Sequence, residues 1–158
     1  MKNFVVVVDT QYDFVMPDGI LYVKGAEETI VPMIQYLSAL HPSTTAGVLF
    51  TFDTHVRSEY EGSPESEMFP IHCERGTPGH NNVLNPDIVH DNIVVYNLEK
   101  PVFDMWQSDD LVFGAHETWD DVEELFGEGF VEDTQATVID IIGVALNFCV
   151  RQAADGFI

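Results

Sequence analysis

The chain has 158 residues, 46% of them hydrophobic, with 27 acidic against 6 basic side chains and a formal net charge of −21. A single compact domain spanning residues 1–158 can bury a real core at this length without disulfide staples, and the charge argues against nucleic-acid or anionic-membrane partners by plain repulsion. The two cysteines, Cys73 and Cys149, lie far apart, and neither a basic leader nor an apolar run of about 18 residues is present, so a reducing, cytoplasmic setting is expected.

In chain order, the first predicted strand is Phe4 to Val8, a β-branched run that stops at Asp9. After the turn Met16-Pro17-Asp18-Gly19, the residues Ile30, Met33, Ile34, Leu37 and Leu40 recur at helical spacing, with Pro32 early enough for a first turn. Gly47 to Phe52 is the second strand, ending at Asp53. The polar stretch from Thr54 to Asn85 has no sustained period and is expected to be an ordered functional loop.

Ile93 to Leu98 is the third strand, followed by a short acidic helix marked by Trp119, Val122, Leu125 and Phe126. Thr137 to Val144 is the fourth strand, and Leu146 to Gly156 reads as the helix after it. Strands alternating with helices imply an α/β fold, three layers deep, around a parallel sheet with right-handed crossovers. The chain stops at Ile158, where such a fold normally continues into another strand; a fragment or a bare sheet edge is therefore expected.

Three strand ends carry chemistry. In parallel sheets, ligands gather outside the carboxyl ends of the strands, so these endings suggest one shared site. Asp53 and His55 leave the same face of extended backbone, and His72 follows after a loop long enough to fold back. A carboxylate and two imidazoles suit a borderline divalent ion such as zinc and leave positions open for water or substrate. An Asp-x-His pair also occurs without any ion, and loop histidines are commonly just exposed, so spacing leaves both readings open. Glu65 is a fourth candidate but reads first as a solvated acid, and His41, His80, His90 and His116 read as surface residues.

Cys149 falls near the start of the last helix, where free amides and the helix dipole lower a thiol pKa. In the sheet order 3-2-1-4 the chain reverses between strands one and four, putting Asp9 on one wall of a crevice and Cys149 on the other. Lys100, just beyond strand three, can bring positive charge to the same mouth. A buried inert cysteine and a solvent-facing lysine are the common alternatives.

The segments Val8-Asp9-Thr10-Gln11-Tyr12-Asp13-Phe14, Thr51-Phe52-Asp53-Thr54-His55, His72-Cys73-Glu74-Arg75-Gly76-Thr77-Pro78-Gly79 and Gly143-Val144-Ala145-Leu146-Asn147-Phe148-Cys149-Val150 resemble the isochorismatase-like cysteine hydrolases, and among them most of all the nicotinamidases. The matches occur in family order from Val8 to Val150. The resemblance implies a catalytic triad of Asp9, Lys100 and Cys149, and metal ligation by Asp53, His55 and His72 at a site that captures a pyridine nitrogen. It also implies a cis peptide between Val144 and Ala145, and an oxyanion hole from the amides of Ala145 and Cys149.

Phe14 matches a family position that packs on the substrate ring, and Trp106 is a candidate for closing the pocket, with core packing as its other reading. The implied reaction is hydrolysis of nicotinamide to nicotinate and ammonia through a cysteine thioester, a step of NAD salvage, in a homo-oligomer. The implied cofactor is a divalent metal, zinc first, with iron and manganese compatible. Two positions depart from the family pattern: Pro101 follows Lys100 where glycine is common, and Leu146 stands where threonine is common. The competing readings are a related amidase or carbamoyl hydrolase with a non-pyridine substrate, and a silent, metal-stabilised interaction domain.

Overall fold

A computed structural model of the chain describes residues 1–107, 112–113, 122–127 and 130–158. The elements are β1 (Lys2–Val8), α1 (Tyr12–Val15), α2 (Ile30–Ser38), β2 (Thr45–Asp53), α3 (Arg57–Tyr60), β3 (Val95–Lys100), β4 (Val112–Phe113), α4 (Val122–Leu125), α5 (Phe130–Thr134), β5 (Ala136–Gly143) and α6 (Cys149–Asp155). The sheet runs β4-β3-β2-β1-β5. Its four long strands are parallel and follow the expected 3-2-1-4 order, while β4 adds an antiparallel edge against β3.

Alternation along β1 explains the layering. Val5 and Val7 face α2, packing with Met33, Leu37, Val48 and Phe50. Phe4, Val6 and Val8 face the opposite way, onto Leu49, Leu98, Leu125, Val150 and Ala153. A central parallel strand buried on both faces needs such a continuous apolar run, and β1 supplies it.

Most strand ends shift by one or two residues from the sequence expectation, and three differences bear on the site or the layers. β3 extends through Lys100, because its register against β2 pairs Asp53 with Lys100 and keeps both strand ends level. The lysine is thus the last strand residue, not the first beyond it. The final helix starts at Cys149, with Leu146 to Phe148 forming a turn before it. The acidic helix is represented by two short pieces, α4 and α5, while Trp119 and His116 lie outside the described residues.

The polar stretch after Asp53 is ordered by its own short elements: α3, two single-turn 3₁₀ segments and a parallel bridge from His55 to Glu74. No helix among the described residues is long and apolar enough to cross a membrane.

Candidate active site

β1, β2, β3 and β5 all end on the same side of the sheet, and the functional side chains stand at those ends. Asp9 follows β1 directly, with φ 46°, a left-handed backbone that non-glycine residues seldom adopt. The Thr51 hydroxyl donates to Asp9 Oδ1 at 2.6 Å, and its oxygen accepts the Asp9 amide at 3.2 Å. Neighbouring Gly143, at the end of β5, allows this approach, since a Cβ there would lie 2.1 Å from the Val8 carbonyl oxygen.

Lys100 completes the constellation from β3. Its Nζ donates to Asp9 Oδ2 at 2.8 Å and to the Val102 carbonyl at 3.1 Å, and lies 3.9 Å from Cys149 Sγ. Asp9, Lys100 and Cys149 are all buried. Burial would pull the lysine toward its neutral form, but the Asp9 carboxylate and the nearby thiol hold its pKa above the ordinary range.

The thiol departs from the expectation of a lowered pKa. Burial pushes it well above the usual value; Lys100 opposes this, while Asp9, which is hydrogen-bonded to the thiol, pushes the same way. Desolvation at this site outweighs the single turn of free amides at the start of α6. Cys149 therefore rests as a thiol with its proton acceptor already in contact.

The peptide between Val144 and Ala145 is cis, as the resemblance implies. Among the described residues, the amides of Ala145 and Cys149 donate to no backbone acceptor, whereas the Ala145 carbonyl accepts from Phe148 and Val150.

A cavity of about 480 Å³ opens on Cys149. Phe14, Ile20, Leu21, Tyr22, Val23, Phe69, Phe103 and the segment from Ala145 to Phe148 line it. Trp106 does not. It packs edge-on to Phe157 and tilted against Phe126, with its indole N–H donating to the Ala153 carbonyl at 3.2 Å. That position braces α6 from behind and departs from the expected role as a pocket lid.

The second cluster gathers Asp53, His55, Glu65 and His72, whose ligand atoms all lie within 4.8 Å of one another. Asp53 Oδ2 lies 2.9 Å from His72 Nε2 and 3.2 Å from His55 Nε2, and Glu65 Oε1 lies 3.3 and 3.6 Å from the same two nitrogens. His72 Nδ1 faces the Pro70 carbonyl at 2.9 Å, which turns Nε2 toward the carboxylates, an orientation shared by metal-binding imidazoles.

Two observations fit this set to a divalent cation. Asp53 Oδ1 and Glu65 Oε1 are buried without a hydrogen-bond partner, and two carboxylates with two imidazoles form a donor set that such ions accept. Burial works against ionised Asp53, but Lys100 and the two histidines hold its carboxyl below the usual range. Burial also works against a charged His72, yet Asp53 and Glu65 push its pKa up to about 10. In Asp53→Ala, elemental analysis is expected to find at least about tenfold less bound divalent ion than in wild type; equal content would remove these residues as the site.

Gln11, Asp13 and His80 were not legible as site residues, and Glu65 was only a fourth candidate for the ion. Glu65, read first as a solvated acid, is largely buried against both histidines. Gln11 clamps the end of β2, its Nε2 donating to the Asp53 carbonyl at 2.7 Å and its Oε1 accepting the Asp53 amide at 2.7 Å. Asp13 accepts the Cys73 amide at 2.7 Å and the Ile20 amide at 3.2 Å, tying the loop that carries His72 to α1. His80, read as a surface residue, is half-buried and bonded to the Thr54 hydroxyl at 2.8 Å.

No protein-family model and no curated protein matches the chain. Solved structures do. The nicotinamidase/pyrazinamidase of Bacillus subtilis superposes with a TM-score of 0.74 at 20% identity, over 99% of this chain and 79% of that one. The same fold is seen in an isochorismatase-like hydrolase from Alkaliphilus metalliredigens (TM-score 0.66, 19% identity, 99% of this chain and 75% of that one). Other structures with this isochorismatase-like fold include the pyrazinamidase of Pyrococcus horikoshii in complex with zinc (TM-score 0.65, 22% identity, 99% of this chain and 79% of that one). The N-carbamoylsarcosine amidase of Thermoplasma acidophilum also has it (TM-score 0.67, 20% identity, 99% and 75%).

Proposed function

We propose that the chain is a cysteine-dependent amidohydrolase that converts nicotinamide to nicotinate and ammonia. The observation that carries this reading is the contact among Asp9, Lys100 and Cys149, the last of which lines an open cavity. The fold shared with nicotinamidases supports it.

The cycle follows from the contacts. Asp9 accepts the thiol proton as Cys149 Sγ attacks the carboxamide carbon, and the amides of Ala145 and Cys149 receive the developing oxyanion. The tetrahedral adduct collapses as Asp9 returns the proton to the departing nitrogen, which leaves as ammonia. Water then attacks the thioester, giving its proton to Asp9. Collapse releases the carboxylic acid, and the sulfur regains the proton from Asp9. Lys100 stays charged throughout and balances the carboxylate in a buried setting.

Asp53, His55, Glu65 and His72 would hold a divalent ion, which we propose to be zinc; such an ion supplies Lewis acidity and orients donor atoms. Charge favours a neutral substrate. The residues lining the thiol cavity include none with a charged side chain, and a chain of net charge −21 repels an anionic reactant and favours departure of the anionic product. A carboxylated carbamoyl substrate fits such a lining poorly.

The test is ammonia release from nicotinamide by the ion-loaded protein, beside a panel of aliphatic amides and ureas. Turnover of nicotinamide at a saturable rate is expected. Turnover of the aliphatic compounds alone would reassign the substrate, and none with any amide would favour the silent interaction domain.

A further inference from the structure

Thr51 stands two residues before the end of β2, in a stretch that is otherwise apolar from Val48 to Phe52. Alternation puts it on the face of Leu49, toward α6, and its register sets it beside Val8, the residue before Asp9. Threonine suits a strand, and strand propensity is the ordinary account of it. A valine would serve that purpose as well without burying a hydroxyl.

The Thr51 side chain is fully buried, and among the described residues both bonds of its hydroxyl go to Asp9. The hydroxyl donates to Asp9 Oδ1 at 2.6 Å and shares the Asp9 amide with the Thr51 carbonyl, each oxygen at 3.2 Å. Because its oxygen already faces an N–H, its own hydrogen is directed to the carboxylate. The two contacts close a ring through the backbone and side chain of Asp9, which fixes the carboxylate against a backbone held at φ 46°.

The other groups on that carboxylate constrain it less. Lys100 donates to Oδ2 at 2.8 Å from the end of a flexible stem, with the Val102 carbonyl as a second partner. The Cys149 thiol, bonded to Asp9, is the group whose proton has to be moved. An ammonium can follow a carboxylate that turns, whereas a hydroxyl on a stiff β-branched side chain, in a strand paired on both sides, cannot. Thr51 therefore sets the direction from which the carboxylate meets the sulfur.

We propose that Thr51 is a positioning residue for this reaction, its hydroxyl holding the Asp9 carboxylate aligned to take and return the Cys149 proton. The threonine gives up no proton during the cycle, in which the proton passes from sulfur to Asp9 and on to the departing nitrogen. The proposal rests on the amidohydrolase reading above and deepens it.

Two substitutions separate the hydroxyl from the shape. Thr51→Val keeps the shape and removes the hydroxyl, whereas Thr51→Ser keeps the hydroxyl and loses a methyl group. Ammonia release from nicotinamide by the ion-loaded protein is expected to show kcat about 30-fold lower in Thr51→Val, with KM within about threefold of wild type. In Thr51→Ser, kcat is expected to stay within about threefold of wild type. A packing role predicts the reverse order. In Thr51→Val, Asp9 keeps Lys100 and its amide keeps the Thr51 carbonyl, so the fold should persist; Thr51→Ala is a second hydroxyl-free variant with the same expected loss. Hydroxyl-free variants within about threefold of wild type, a loss carried by KM alone, or a serine variant no faster than the valine one would each overturn the proposal.

Alkylation of Cys149 by iodoacetamide, followed by peptide mapping with buried Cys73 as the internal control, reads the same alignment without turnover. Wild type and Thr51→Ser are expected to react at similar rates, and Thr51→Val about tenfold more slowly. That order supports the proposal even if wild type hydrolyses no amide, a result that would remove the amidohydrolase reading by itself. Equal rates in all three proteins, or no reaction in any, overturn it.

Discussion

Replacing Cys149 by alanine is expected to reduce nicotinamide turnover by at least about 10⁴-fold, because loss of a covalent nucleophile removes the intermediate that divides the reaction into two accessible steps. The sulfur is buried, touches the Asp9 carboxylate and lies 3.9 Å from the Lys100 ammonium. Alanine keeps the helix start and removes a single heavy atom, so circular dichroism and the thermal midpoint should stay close to wild type. Serine at this position should be nearly as inactive, since the carboxylate that accepts a thiol proton is a poor acceptor for an alkoxyl proton. Ammonia release under single-turnover conditions, with intact-mass detection of the acyl-enzyme, checks the assignment. Retention of more than about one-hundredth of wild-type turnover in Cys149→Ala would remove the thiol from the mechanism.

The second large effect concerns stability. In Lys100→Met, Asp9 remains buried with no counter-ion, and the expected cost is about 3–5 kcal/mol by chemical denaturation, a large share of the stability of a protein this size. Asp9→Asn leaves the buried ammonium facing an amide and should cost a similar amount. The double substitution removes both charges, so it should be less destabilising than the two single changes combined by about 2 kcal/mol or more. Strict additivity would mean that the 2.8 Å contact contributes little in solution. All three variants should lack turnover, which separates the electrostatic coupling from the chemistry.

Much of the sheet could be read from the chain because its central strands are buried on both faces, and that burial demands unbroken β-branched runs such as Phe4 to Val8. Such runs also fix where strands stop, so Asp9 and Asp53 were visible as strand-end groups, and the 3-2-1-4 order expected of a doubly wound sheet is the one found for the four parallel strands. Lys100 was harder to place, since Glu99 and Lys100 read as polar loop until the pairing with β2 holds them in the strand.

The loop from Thr54 to Asn85 has no period to expose its geometry, and Glu65 becomes a site residue only when that loop folds over His55 and His72. Gln11 and Asp13 escaped notice for a related reason: their side chains bind backbone groups at Asp53 and Cys73, and no spacing rule encodes such distant partners. Trp106 shows the opposite limit. It was a candidate for closing the pocket, but the aromatic surfaces of Phe126 and Phe157 hold it in the core, the other reading.

A single short stretch after β1 serves every part of the machinery. In the proposed cycle Asp9 handles the proton, while Gln11 grips the Asp53 backbone through its amide and carbonyl, Asp13 anchors the loop that bears His72, and Phe14 lines the thiol cavity and packs on His72. Inserting one residue directly after Val8 would shift all four side chains out of register together. Evolutionary tinkering with specificity is thereby steered toward the cavity rim, where Leu146 and Phe148 can vary one at a time.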